Sequence, residues 1–318
     1  MSLYNNFIGL DIGKYNFVVA INHKKETIEY ENNNDGISQF MKDYRKELQS
    51  SLCVLEVTGG YEMALLLNLC DKNIAVHRAN TRKVKNFIRS FGKVAKTDSL
   101  DAQALALYGY ERHEKLDLFK PHSKKALDLY ELVGRRNDLK QMLIAEKNRH
   151  SAPRAGLIKD SCATMIETIS KQIESITKKI DDLIETDAVL KAKKATIQTI
   201  PGIGRIVSNE LIVLLPELGK LNGKQIASLV GLAPMSNDSG RYRGYRNTGH
   251  GRSFIKPILF VAAMAARNSN SNLKVFYENL INKGKKKMVA LVALMRKIIV
   301  IANAKLRDLI HSRTVIKI

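Results

Sequence analysis

FIGLDIG (Phe7–Gly13) is a short apolar run that delivers an acid, Asp11, to its end just before a glycine. SLCVLEVTGG (Ser51–Gly60) repeats the arrangement with Glu56, and KTDSLDAQALA (Lys96–Ala106) opens a helical pattern with Asp98 and Asp101. Residues at i and i+3 project from one helix face, and side chains at strand ends can converge on a site. Four carboxylates drawn together repel one another unless a divalent cation neutralises them. An oxygen-only ligand set of this kind suits Mg²⁺ or Mn²⁺. Each acid also has an ordinary explanation. Asp98 would serve as an N-cap with Asp101 at the third helical position, and Glu56 would be a chance strand-end acid. The order strand-Asp, strand-Glu, helix-Asp-x-x-Asp is harder to obtain by accident.

Working outward, FIGLDIG and NFVVAINHKK read as two strands joined at Gly13, with ETIEYEN as a third, an antiparallel meander. A helical stretch over Gly36–Leu48, the strand LCVLEV, a helix over Tyr61–Asp71 and the strand NIAVHRAN follow. Further helices start near Thr81 and at Asp98. Three strands followed by a parallel βαβ unit is the order of a ribonuclease H-like α/β domain, here assigned to residues 1–118.

The chain has 318 residues and a formal net charge of +21. That length accommodates two or three domains, and ordinary apolar content favours folding over disorder. The basic excess points to a polyanion, because counterion release from phosphates favours binding. Lys-rich, Asn-rich usage contributes some of that excess. Cys53, Cys70 and Cys162 lack paired spacing and read as apolar residues of a reduced protein. No signal peptide is apparent, and the longest apolar stretches are too short or too charged to span a bilayer. The expected location is the bacterial cytoplasm, in association with the nucleoid.

Residues 119–192 read as helical, broken by Pro153. Cys162, Ile166, Ile169, Ile173, Ile176, Ile180 and Leu183 alternate spacings of four and three, a heptad seam that predicts a central coiled coil. The alternative is an amphipathic helix packed within its own chain. Residues 193–318 predict an all-α domain. Its IQTIPGIGRIVSNEL (Ile197–Leu211) matches a helix-hairpin-helix, with Gly202 and Gly204 in the hairpin and Arg205 opening the second helix. Such a turn offers backbone N–H groups to phosphate. The glycine-rich stretch SNDSGRYRGYRNTGHGRS (Ser236–Ser253) interleaves Arg241, Arg243, Arg246 and Arg252 with Tyr242 and Tyr245. With Lys256 beyond it, this composition suits phosphate contact and stacking. Ser239–Gly240 alone reads as a turn. His250 reads as a surface residue or phosphate contact.

GLDIGK, VLEVTGGYE and KTDSLDAQALA together resemble the DEDD transposases of bacterial insertion sequences, the IS110 and Piv/MooV type, whose amino-terminal domain is RuvC-like. The resemblance runs nearly the whole chain, through the coiled coil, the IPGIG hairpin and LVGLAPMSNDSGRYRG. It implies that Asp11, Glu56, Asp98 and Asp101 bind Mg²⁺ or Mn²⁺, and that Ser239 is a covalent nucleophile. It further implies donor and target DNA, an element-encoded guide RNA and a homo-oligomer, dimer or tetramer, as partners. YRNTGHGRSFIK departs from the family's shorter segment, which leaves the role of His250 open.

The expected function is therefore a DNA recombinase that cuts and rejoins strands by metal-assisted serine transesterification. Two other readings compete. One is a Holliday-junction-type nuclease using water; the other is a non-catalytic nucleic-acid-binding protein, favoured by charge but not by the acids. Asp11 in GLDIG also resembles the first phosphate loop of actin-like kinases, but no second such loop follows.

Overall fold

In the computed structural model, residues 3–92, 97–121, 123–154 and 156–315 are described. They form two compact units, Met1–His122 and Ser123–Ile318.

The first unit follows the predicted order. It comprises β1 (Asn6–Ile12), β2 (Asn16–Ile21), β3 (Thr27–Glu31), α1 (Asn34–Asp43), α2 (Arg45–Leu48), β4 (Ser51–Glu56), α3 (Met63–Asp71), β5 (Ala75–Ala79), α4 (Thr81–Ser90) and α5 (Asp98–Arg112). The strands form one mixed sheet in the order β3-β2-β1-β4-β5. The meander pairs antiparallel, and β4 joins β1 and β5 in parallel. Because side chains alternate across a strand, the two faces carry different cores. Ile8, Leu10, Cys53 and Leu55 pack beneath α1 and α3, whereas Phe7, Leu52 and Val54 pack with Leu105 and Tyr108 of α5.

Close approach of α5 to the sheet depends on glycine. A Cβ at Gly9 would overlap the Ala102 carbonyl oxygen and lie 2.9 Å from Leu105 Cβ, and a Cβ at Gly109 would lie 2.8 Å from Val54. Gly109 therefore sits over Phe7 and Val54, while Ala102 sits at Gly9. Helix α5 thus runs antiparallel to β1, with its first turn at the strand's C-terminal end. Hydrogen bonds from Thr27 Oγ1 to Ser99 Oγ (3.0 Å) and from Gln103 Nε2 to Lys25 O (3.0 Å) pin the first two turns.

In the second unit, α6 (Lys124–His150) and α7 (Lys159–Glu185) are followed by α8 (Ala188–Gln198), α9 (Arg205–Leu214) and α10 (Gly223–Leu229). Two small two-stranded sheets come next: β6 (Pro234–Met235) with β9 (Asn247–Thr248), and β7 (Asp238–Ser239) with β8 (Tyr242–Arg243). Helices α11 (Ile255–Ala266), α12 (Asn272–Asn282) and α13 (Lys287–Val315) complete it. Leu129 and Val133 of α6, and Ile180 and Ile184 of α7, share one core with α8 through α13. A buried Arg136–Glu210 ion pair, with Lys140 Nζ at 3.4 Å from the same carboxylate, ties α6 to α9.

The predicted heptad seam packs inside the chain, against α6. Cys162 lies beside Glu146 and Arg149, so the start of α7 meets the end of α6 in an antiparallel pair. The buried positions are Cys162, Ile169, Thr177, Ile180 and Ile184; Ile166, Ile173, Ile176 and Leu183 are only half-buried. The stripe slips by one residue because a straight helix turns every 3.6 residues and drifts against a 3.5-residue repeat.

Candidate active site

The parallel register between β1 and β4 pairs Gly9 with Val54 and Leu10 with Leu55, so one step further sets Asp11 beside Glu56. Both lie on the α5 face, in line with Phe7–Gly9 and Leu52–Val54. Asp11 is also the antiparallel partner of Val18, which packs with Ala102 of α5. Asp101 immediately precedes Ala102, and Asp98 stands one turn earlier. The backbone therefore brings all four acids to one end of the sheet. Asp11, Glu56 and Asp101 are half-buried and Asp98 is exposed.

The alternative reading of Asp98 as an N-cap does not hold. Thr97 caps α5, its Oγ1 accepting from Leu100 N at 3.2 Å. Thr97 supplies a short hydroxyl at the position that requires extended backbone, and both acids fall inside the first turn. There they complement the helix dipole. Among the described residues, no three Asp, Glu, His or Cys side chains stand close enough together to share an ion. The donor set itself, carboxylates only, fits a hard divalent cation.

Sequence reasoning missed Glu62. It is fully buried, and its carboxylate accepts from Thr58 N (3.1 Å), Thr58 Oγ1 (3.0 Å), Gly60 N (2.9 Å) and the Arg78 guanidinium. This latch closes the loop that directly follows Glu56, where Gly59 and Gly60 take φ of 78° and 111°. An acid six residues beyond Glu56 is a weak signal without knowledge that Arg78 on β5 lies beside it.

Burial alone would raise the Glu62 pKa. The Arg78 hydrogen bond, followed by those from the loop, outweighs it and holds the carboxyl at about 2 against an ordinary 4.5. A depressed pKa contributes stability that is present above the unfolded value and lost as pH falls through the folded one. The excess stability of the wild type over Glu62→Gln is therefore expected to shrink between about pH 4.5 and about pH 2. Thermal unfolding of both full-length proteins across that range measures it. An excess that stays constant with pH would remove the ionised latch.

In the second unit the IPGIG turn joins α8 to α9. Gly202 takes φ +90°, and a Cβ there would overlap the Ala262 carbonyl oxygen of α11, so the turn is docked as well as bent. Gly204 is the N-cap of α9, with extended backbone and no capping side chain. Arg205 is exposed, its guanidinium 3.2 Å from Asp181.

The Ser239 segment is clamped at its base and open at its tip. Arg252 forks onto Glu217 with bonds of 2.8 and 2.5 Å and donates to Leu214 O at 3.2 Å. Its guanidinium is engaged in holding this loop. A Cβ at Gly231 would overlap the His250 carbonyl oxygen, and His250 itself takes φ +58°. At the other end, Ser239 pairs with Tyr242 across the two-residue turn Gly240–Arg241, with Gly240 at φ +54°. Gly244 N donates to Asn237 O at 3.0 Å, and a side chain at 244 would overlap that oxygen. Ser239, Arg241, Arg243 and Arg246 are all exposed, and Lys256 is half-buried at the start of α11. Arg243 lies 3.6 Å from Asp238.

A family model of DEDD transposases of the IS110 type, described as "Transposase", matches residues 8–152. That segment begins within β1 and contains all four acids. A second, described as "Transposase IS116/IS110/IS902 family", matches residues 194–278, from the IPGIG turn through the Ser239 loop. The chain belongs to the IS110 family of transposases. It is 27% identical over 311 residues to the pilin gene-inverting proteins of Moraxella lacunata and Moraxella bovis, covering 95% of this chain and 96% of each relative. It is 25% identical over 157 residues to an uncharacterized 42 kDa protein of insertion element IS900 from Mycobacterium paratuberculosis, covering 46% of this chain and 38% of that protein. As a member of this family, the protein is a transposase-class DNA recombinase, and DNA is its partner. Among its described residues, no helix is long and apolar enough to cross a membrane.

Proposed function

We propose that this IS110-family transposase excises and inserts a mobile element by serine transesterification, with a ribonuclease H-like, RuvC-like domain supplying the acids. What supports this reading is the backbone register that sets Asp11 beside Glu56 at the sheet end where α5, with Asp98 and Asp101, begins, in a chain of net charge +21. Mg²⁺ or Mn²⁺ held by these four carboxylates would stabilise charge on the phosphate oxygens.

The Ser239 hydroxyl oxygen forms a bond to phosphorus as the bond to one DNA oxygen breaks. The serine proton passes through solvent to the departing oxygen, leaving a phosphoserine–DNA ester and a free DNA hydroxyl. A hydroxyl of the new partner strand then attacks the same phosphorus and releases serine. Arg241, Arg243 and Arg246 hold the phosphate near Ser239. The α8–turn–α9 segment acts as a helix-hairpin-helix, and Gly202, Gly204 and Arg205 meet the backbone of bound nucleic acid. Arg252 supports the loop from beneath, and Lys256 lies at its far base.

Acids and serine belong to separate units, which allows Ser239 of one copy to serve the acids of another within a dimer or tetramer. The surplus positive charge favours an additional polyanion, an element-encoded guide RNA paired to donor and target DNA. Such a protein would work in the cytoplasm at the nucleoid.

Product analysis tests the reaction class. With supercoiled plasmid carrying the element ends, the bound RNA and Mg²⁺, rejoined junctions are expected by sequencing. Nicked products alone would instead indicate a hydrolytic nuclease.

A further inference from the structure

Between α10, the β6–β9 ribbon, α12 and α13 lies a cavity of about 970 Å³ that shares only Arg246 with the reaction described above. Its floor is apolar. Val289, Val292 and Val300 come from one face of α13, spaced by three and then eight residues, and Phe276 comes from α12. Its rim is cationic: Lys224, Arg246, Arg296 and Lys297. Among the described residues no acid lines it, and none of these four cations is held by a carboxylate. Lys297 Nζ sits 4.0 Å from the Phe276 ring centroid, which fixes the aromatic floor beneath the charge.

We infer that this cavity receives one unpaired nucleotide of a nucleic-acid strand, its base against Phe276 and Val292 and its flanking phosphates on the cationic rim. An apolar floor ringed by cations that no carboxylate holds matches a planar base between two phosphates. A duplex keeps its base faces stacked inside and presents only phosphates to such a rim. A polypeptide would need acidic side chains to satisfy four cations.

The place is apt as well. Pro234 and Thr248, paired across β6 and β9, form part of the cavity wall. The same ribbon is the base of the segment whose tip carries Ser239. Met235 and Asp238 are three residues apart, within about 11 Å even when fully extended. A strand anchored by one extruded base would therefore leave the cavity beside the proposed nucleophile. This inference rests on the recombinase reading for its choice of polymer.

Photocrosslinking of the full-length protein tests it. Short single strands carrying one thiothymidine (DNA) or one thiouridine (RNA) are irradiated with the protein, and the crosslinked peptides are sequenced. Crosslinks are expected on the peptides containing Phe276 and Val292, and whichever sugar gives them identifies the source. Ala293→Trp, which fills the cavity, should abolish these crosslinks and weaken single-strand binding by about tenfold, the order expected for one lost stacking contact. Duplex affinity should stay within about twofold, because phosphate contacts elsewhere supply it.

Arg296→Gln with Lys297→Gln provides a milder probe if Ala293→Trp unfolds early, and should lower crosslink yield at the same peptides. Crosslinks confined to residues 239–245, with none at Phe276 or Val292, would overturn the inference. So would unchanged single-strand affinity in the variants, including the case where Ala293→Trp alters the mass by light scattering because a second copy fills the cavity. Formation of a Ser239–DNA adduct by the wild type is scored separately, so failure of the recombinase reading remains distinguishable from failure of the cavity.

Discussion

Asp11→Asn is expected to abolish strand cleavage, by on the order of 10³-fold or more, while leaving nucleic-acid affinity within about twofold. Asparagine matches aspartate in size, so β1 keeps its place in the sheet and the Asp11–Val18 pairing survives. What is lost is a full negative charge at the sheet end that also carries Glu56 and the first turn of α5. A neutral amide oxygen is a poor ligand for a hard divalent cation, and losing several kcal/mol of charge stabilisation at the transition state corresponds to roughly that factor in rate. Affinity comes from elsewhere, namely the exposed arginines of the Ser239 loop and the overall +21 charge. The measurement pairs a labelled-DNA cleavage assay in Mg²⁺ with a mobility-shift titration. Asp101→Asn should behave alike, because Ala102 fixes its position against the sheet. Asp71→Asn, exposed at the end of α3, serves as the control. Cleavage by Asp11→Asn at the wild-type rate would remove the four acids from the reaction.

The sheet was legible because its strands carry their information locally. Alternation along FIGLDIG and LCVLEV states which residues share a face, and the βαβ spacing requires parallel pairing. The placement of the acids at strand ends and a helix start was readable for the same reason, since these points are marked by Gly13, Gly59 and the Thr97–Asp101 run. The alternative that made Asp98 an N-cap falls to Thr97, because Thr and Asp are both good N-caps and the sequence does not state which adopts extended backbone. Glu62 stayed hidden because its partner Arg78 arrives from a different strand. The heptad seam was real as a pattern but could not name its partner. An apolar stripe satisfied by α6 and one satisfied by another chain read identically. Arg252 shows the same ambiguity: composition placed it among phosphate contacts, and only Glu217, distant in sequence, shows where its guanidinium is spent. The cationic cavity depends on four elements meeting and had no local signature.

Ser239→Ala is expected to eliminate both the covalent protein–DNA adduct and all rejoined product, while the protein remains folded. Ser239 sits exposed at a two-residue turn, and its hydroxyl can be removed at little cost to stability. Its register with Tyr242, and the closure of the hairpin by Gly244 on Asn237, are backbone features that alanine retains. A serine ester at phosphorus keeps the energy of the broken phosphodiester, so the second transfer to a new strand needs no external source. Water as nucleophile would release that energy and leave ends that cannot rejoin. The loss should therefore be complete for joining. Residual nicking by water is the only activity alanine permits. Denaturing electrophoresis of labelled DNA with wild type, Ser239→Ala and Ser236→Ala makes the comparison. Ser236 shares the exposed segment and its arginines but precedes the hairpin that presents Ser239. An adduct that persists in Ser239→Ala and vanishes in Ser236→Ala would move the nucleophile three residues toward β6. If the wild type forms rejoined product with no adduct under either condition, the strand transfer is direct, and the hairpin serves to position phosphate through Arg241 and Arg243.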